Sequence, residues 1–339
     1  MSGIIYTLVK KLKTAVTFGD IIVQPGEIGF GSLIEVELKD CTVVKLPIIV
    51  MNGAEDGPKF VVSGAVHGSE LIGAEIVRRV IREEVNPKKL RGLVVGIPIS
   101  NPLGFQAGNR SAPQDGLFPT INSPGDSGGS ITQRIGAAVW EMVTSKMDLQ
   151  VDIHGNMLPC TAFCLCSLHD PKTRDKNEMM GRATGLTVVY SPPKGTLEGM
   201  GGARAEGYRP IPSVSLELIA AGNVTEVSAD LGLKAVLNVM RSWVMIDGEI
   251  EKQPEKYVWG PGWVQNAGRL KVNRGGIIHF KKNPGEFIEE GEVVAKTYDP
   301  YGEVKEEIKF PFDGYIRAWA APHQAVNTGS SIAYITHDK

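Results

Sequence analysis

Between Gly57 and Ile246 short strand-like runs alternate with amphipathic helix-like ones, and this alternation restricts the available folds more than any other feature. The strand-like runs are Phe60–Ala65, Leu93–Ile99, Leu149–Ile153, Thr161–Cys166, Thr187–Tyr190 and Ser213–Leu218. The helix-like runs are Leu71–Glu84, Ser130–Ser145, Arg174–Gly185 and Val227–Met245. Parallel strands need crossover connections, and helices supply them. The expected class is therefore α/β, a mainly parallel mixed sheet with helices on both faces. Residues 1–57, rich in Val, Ile, Thr and Gly with a turn signal at Gln24-Pro25-Gly26, predict strands and hairpins that lead into this sheet. The stretch 101–130, full of Gly, Pro, Asn and Ser, predicts a long structureless connection that lines a site.

At 339 residues the chain is too long for one ordinary core. Composition shifts at Asp247–Lys256, a polar stretch that reads as a linker, and short glycine-punctuated strands follow it. The expected division is a catalytic unit over 1–249, including the N-terminal strands of 1–57, and a small all-β barrel over 250–339. A net charge of −2 offers no field for nucleic acid or an anionic membrane. No apolar run is long enough to span a bilayer, and the N-terminus lacks a signal-peptide core. Four cysteines are too few for a disulfide framework, so a cytoplasmic location is expected, with Cys164 and Cys166 as buried strand thiols.

Three short patterns carry chemistry. His67-Gly68-Ser69-Glu70 lies between a strand-like and a helix-like run, at the carboxyl edge where open α/β sheets bind ligands. An imidazole and a carboxylate at this spacing can converge on one zinc ion. Asp152-Ile153-His154 ends a second strand. With His67 and Glu70, His154 makes a three-ligand set that leaves one zinc position open for water, which then ionises near neutral pH. Asp152 shares the strand face of His154 and is expected to orient it. Third, Glu217 stands inside the apolar run Ser213–Leu218, where a carboxylate is expensive unless partnered or functional. It reads as a general base beside the metal. The other four histidines, His169, His279, His323 and His337, carry no such context.

In their order, His67-Gly68-Ser69-Glu70, Asn101-Pro102 with Arg110, Asp152-Ile153-His154 and Ser215-Leu216-Glu217-Leu218 resemble the succinylglutamate desuccinylase/aspartoacylase family of the zinc carboxypeptidase superfamily. The likeness covers nearly the whole chain, in the manner of the longer bacterial members with a C-terminal barrel. It implies one zinc ion per subunit on His67, Glu70 and His154, with Glu217 as base. Arg110 would polarise the scissile carbonyl or bind substrate, and Asn101 would belong to the substrate region. The implied activity is deacylation, the hydrolysis of the amide bond of a small N-acyl amine or N-acyl amino acid. One departure matters. Counting from Asp115-Gly116 to Pro124-Gly125, Thr120 and Ile121 occupy the places of the family's Asn-Arg pair. That arginine grips a substrate carboxylate with a planar fork, which isoleucine cannot do. Either Arg204 or Arg209, in the glycine-rich stretch 201–209, supplies that charge, or the substrate lacks the carboxylate and is less acidic than N-acetylaspartate or succinylglutamate; Thr120 and Arg204 are the expected substrate-side residues. The C-terminal strands resemble the hammerhead barrel of biotinyl and lipoyl carriers but lack a carrier-type lysine, which suggests a lid or an oligomerisation unit, the latter giving a homo-oligomer. Two rival readings remain: a metallocarboxypeptidase, which needs a mouth open to peptides, and a zinc-binding module without catalysis, which has no need of Glu217.

Overall fold

A computed structural model describes residues 13–121, 124–156, 159–190, 211–219, 223–320 and 325–338. The hairpin β1 (Val16–Phe18) and β2 (Ile21–Val23) precedes two long strands, β3 (Glu27–Glu37) and β4 (Val43–Asn52). The α/β succession follows: β5 (Glu55–Gly64), α1 (Ile72–Arg79), β6 (Arg91–Ile97), α2 (Pro102–Ala107), α3 (Ile131–Met142), β7 (Leu149–Asn156), β8 (Phe163–Cys166), α4 (Arg174–Ala183), β9 (Thr187–Tyr190), β10 (Ser213–Ile219) and α5 (Glu226–Ser242). The strands at its centre, β6, β5, β7 and β10, are parallel to one another, whereas β8 enters antiparallel to β10 and β4 antiparallel to β6. The expected mixed, mainly parallel sheet is the one observed.

Side-chain alternation assigns the two faces. Phe60 and Val62 of β5 join the core of α1, α4 and α5, together with Ile76, Met180 and Val236. Val61 points the other way, to the core of α3 with Ile135 and Val139. Cys164 and Cys166 are buried in the first of these cores, and burial pushes the Cys164 thiol up to about 12. Two boundaries differ from expectation. The helix expected to run to Glu84 loosens after Arg79 into a π-helical turn, Val80–Glu84. The stretch expected to be structureless from Asn101 begins with α2, because Asn101 Oδ1 accepts from Gly104 N at 2.9 Å and Pro102 suits the first helical turn.

Beyond α5 the polar stretch 247–256 is seated on the helices: Gln253 donates to the carbonyls of Thr184 and Leu231, each at 3.0 Å. The C-terminal strands are β11 (Trp263–Lys271), β12 (Gly276–Phe280), β13 (Phe287–Ile288), β14 (Val293–Tyr298), β15 (Val304–Lys309), β16 (Gly314–Trp319), β17 (Ala325–Val326) and β18 (Ser331–His337). They fall into the orders β15-β14-β12-β17 and β13-β16-β18-β11 around one apolar core that includes Ile278, Val294, Ile316 and Ile332. The second group continues the main sheet, because β11 pairs in parallel with β9. No helix among the described residues is long and apolar enough to cross a membrane.

A candidate metal centre

Two neighbouring strands turn a polar face to the same side. On β7, Leu149, Val151 and Ile153 enter the helix-side core, so Gln150, Asp152 and His154 face the opposite side. On β10, Val214, Leu216 and Leu218 enter that core, and Ser215 and Glu217 face away from it. The parallel register sets Ser215 beside Asp152 and Glu217 beside His154. On the other side of β7, Ser63 of β5 lies beside Asp152.

The turn after β5 brings the remaining groups to this floor. Ala65 adopts a left-handed φ of 47° in a fully buried position, at a cost on the order of 1–3 kcal/mol. Backbone bonds from Ser100 to Gly64 and from Asn101 to Ala65, both 3.0 Å, anchor the turn to the connection after β6. Glu70 N donates to His67 O at 2.9 Å and closes the turn before α1. Glycine is required at position 68, because a Cβ there would lie 2.0 Å from the carbonyl carbon of Gly104 in α2. Thus α2 presses directly on the His67–Glu70 turn.

His67, Glu70 and His154 are all buried, and their ligand atoms lie within 4.8 Å of one another. His154 Nδ1 stands 2.9 Å from Glu70 Oε2, while its Nε2 stands 3.1 Å from Asp152 Oδ2. Asp152 is itself held by Ser63 Oγ, which donates to Oδ1 at 2.8 Å. The chain Ser63–Asp152–His154 therefore occupies Nε2 and leaves Nδ1 facing the cluster. Gly155 N donates to Glu70 Oε2 at 3.3 Å. His67 Nδ1 is buried and makes no hydrogen bond. A buried imidazole nitrogen left over, a second one aimed at the same point and a carboxylate between them fit the donor set of catalytic zinc.

The charges around the cluster are unequal. Burial, with the charges of His154 and Arg110 adding to it, lowers the pKa of His67 to about 2, so this ring is neutral and able to ligate. Burial also opposes a charged His154, but Asp152 and Glu70 outweigh it and raise its pKa well above the usual imidazole value. At Glu217 burial dominates and raises the pKa; Glu70 adds to this, and His154, Arg317 and Arg110 oppose it. A carboxyl with a raised pKa next to such a His–Glu–His cluster is suited to moving a proton.

The surrounding residues divide sharply. Arg110 is largely exposed and reaches Glu70 Oε1 at 3.5 Å. Its guanidinium lies 5.6 Å from the ring centroid of Phe118, which packs edge-on against His67 at 4.5 Å. Phe118 was not legible as a site residue, since nothing local distinguishes it from a core aromatic. Asn101 is fully enclosed, its side chain spent on capping α2 and on the Arg110 carbonyl at 3.4 Å. It shapes the loop instead of lining the opening. Thr120 is half-buried, with its backbone against Gly136 of α3. Ile121 is 1 % exposed in the core with Leu103, Ile135 and Val139 and brings nothing to the cluster. Arg204 and Arg209 lie outside the described residues. The expected bystander His279 packs edge-on against Tyr298, and His337 stacks on Phe312, both in the C-terminal strands.

Residues 56–243 match the family model described as the succinylglutamate desuccinylase/aspartoacylase catalytic domain. Among curated proteins, the N-alpha-acetyl-L-2,4-diaminobutyric acid deacetylase of Halomonas elongata is 24% identical over 299 residues, covering 86% of this chain and 85% of that protein. An ectoine utilization protein from Ruegeria pomeroyi, solved with bound product, superposes with a TM-score of 0.82 at 19% identity over 96% of this chain and 98% of that one. A succinylglutamate desuccinylase/aspartoacylase from Rhodobacter sphaeroides gives 0.79 at 22% identity over 92% and 96%.

Proposed function

Because this chain belongs to the succinylglutamate desuccinylase/aspartoacylase family, we propose that it is a zinc-dependent deacylase hydrolysing the amide bond of a small N-acyl amine or N-acyl amino acid. The observation that carries this reading is the convergence of His67, Glu70 and His154 with Glu217 on the adjacent strand position. A binding module has no use for a half-buried carboxylate beside its metal ligands.

His67, Glu70 and His154 would hold the zinc, which when bound supplies a Lewis acid that acidifies water and polarises a carbonyl. Asp152 keeps the His154 ring turned toward the cluster. Glu217, with its raised pKa, takes the proton of the attacking water and returns it to the leaving nitrogen, so that the amide C–N bond breaks and a carboxylate and an amine are released. Arg110, largely exposed beside the cluster, stabilises the negative charge that develops on the carbonyl oxygen. Phe118 sets an apolar ring next to it, packed edge-on against His67. With Ile121 in the core, no side chain at that place grips a second carboxylate. This favours a substrate less acidic than N-acetylaspartate or succinylglutamate, in keeping with the deacetylase relative from Halomonas.

A screen of N-acyl amino acids and related amides, following amine release from zinc-loaded protein, tests the reading. In the Glu217→Gln variant the zinc content should persist and kcat should fall by roughly 10²–10⁴-fold. Full turnover in that variant would overturn the role of Glu217, and His67→Ala protein that keeps its metal would overturn the ligand set.

A further inference from the structure

Strand β16 carries a charge inside an apolar run, Gly314–Trp319, by the same logic that singles out Glu217 in β10. Arg317 is only 2 % exposed and heads the largest fully buried side chains. A guanidinium in such a place needs opposite charge close by. Its plane lies 5.3 Å from the ring centroid of Phe163 and 5.5 Å from that of Tyr334. The backbone ties it to the same place: Thr161 N donates to Arg317 O at 2.9 Å, Trp319 N donates to Pro159 O at 3.2 Å, and Cys160 bridges Ala318. This part of β16 therefore runs along the chain between the His154 strand and β8. Pairing with β18 slips between Ile316 and Ala318, so Arg317 is the extra residue of a bulge, a device that re-aims a side chain.

Phe163 is the direct antiparallel partner of Glu217. Such partners project to one face with their Cβ atoms about 4.5–5.5 Å apart. The guanidinium over Phe163 thus shares the face of Glu217, and each charge favours the other. We propose that Arg317 is a positioning residue, supplied by the C-terminal strands, that braces the Glu217 carboxylate against the active-site floor; this rests on the reading of Glu217 as the base. With its guanidinium buried against the rings of Phe163 and Tyr334, Arg317 acts through Glu217. The C-terminal strands then complete the catalytic machinery.

The test is a double-mutant cycle on the full chain with Arg317→Met, Arg317→Lys, Glu217→Gln and the Met/Gln double variant. Thermal unfolding, which needs no substrate, reads the pairing. Arg317→Met should lower Tm by roughly 5–10 °C, and Glu217→Gln should restore part of that loss, since it removes the stranded charge. Shifts that simply add would overturn the pairing. With any amide the screen finds to be hydrolysed, Arg317→Lys should lower kcat by roughly tenfold while KM stays within about twofold, and Arg317→Met should lose more. If Arg317→Met does not fold, Arg317→Gln, which also removes the charge, alone and combined with Glu217→Gln gives the same comparison. An unchanged kcat, or a loss confined to KM, would overturn the positioning role. If no amide is turned over by the parent protein, the proposed activity fails while the unfolding cycle still decides the pairing.

Discussion

Asp152 offers the most direct test of the proposed zinc site. Its two oxygens are spent on different partners, His154 Nε2 at 3.1 Å and Ser63 Oγ at 2.8 Å, in a pocket where Asp152 is 2 % exposed. Asp152→Ala removes both bonds and frees the His154 ring to turn or to change tautomer. Loss of such a supporting carboxylate weakens metal affinity about 10–100-fold, which is roughly 1.4–2.7 kcal/mol. Two buried polar groups also lose a partner, costing the zinc-free fold about 1–3 kcal/mol. Asp152→Asn can keep both bonds, its oxygen accepting from the ring and its amide donating to Ser63, and loses only the charge. It should fall at or below the tenfold end. Zinc affinity would be measured by competition with a chromophoric chelator, and stability by urea unfolding of the stripped proteins. The expected order of affinity is parent, then Asn, then Ala. A folded Asp152→Ala protein with a zinc Kd within about twofold of the parent would refute the reasoning, because the Ser63–Asp152–His154 chain would then contribute nothing to ligand orientation.

Four further outcomes follow from the same geometry. Ile121→Arg puts a charge into the α3-side core and should cost roughly 3 kcal/mol or more by denaturant unfolding; a neutral effect would mean the side chain can turn into the site. Gly68→Ala, with its Cβ 2.0 Å from Gly104, should push α2 off the ligand turn, destabilise the fold by about 1–3 kcal/mol and weaken zinc retention on dialysis. Glu75 is held at a pKa of about 2 by hydrogen bonds from Arg78, against burial, with Arg79 adding to them, and Arg79 reaches on to Glu226 of α5. Because its folded pKa lies below the ordinary 4.5, its stabilisation is present above that value and is lost as pH falls toward 2. Partial exposure limits it to about 0.5–1 kcal/mol, so Glu75→Gln should be weaker than the parent at pH 7 and equal to it near pH 2 in urea titrations. Glu217→Gln should separate zinc content from turnover, as set out above.

Legibility followed the range of the interactions. Whatever depends on neighbours in sequence could be read in advance. The alternation on β7 separates Leu149, Val151 and Ile153 from Asp152 and His154, and on β10 it isolates Glu217 among apolar partners, because a strand repeats every second residue whatever its surroundings. The His67–Glu70 pair is equally local, held in one turn. The α/β class followed from the succession of periods. Even the end of α1 and the start of α2 differed from expectation only where packing and a cap decided a few residues.

Position across the sheet is another matter, since it depends on which strands pair and in what register. Glu217 stands beside His154 because β10 pairs with β7 in one particular alignment, and a slip of one residue would turn it into the opposite core. Phe118 reaches His67 only through the path of the loop after α2. Ile121 reads in sequence as a lost substrate contact, but the structure makes it a core residue. Arg317 lies one hundred residues beyond Glu217 and joins its face through β16, the 159–161 segment and β8 in turn. The chemical groups were thus determined by the sequence, residue by residue. Their convergence was decided only by the tertiary structure, because side-chain periodicity is a local property and strand register is not.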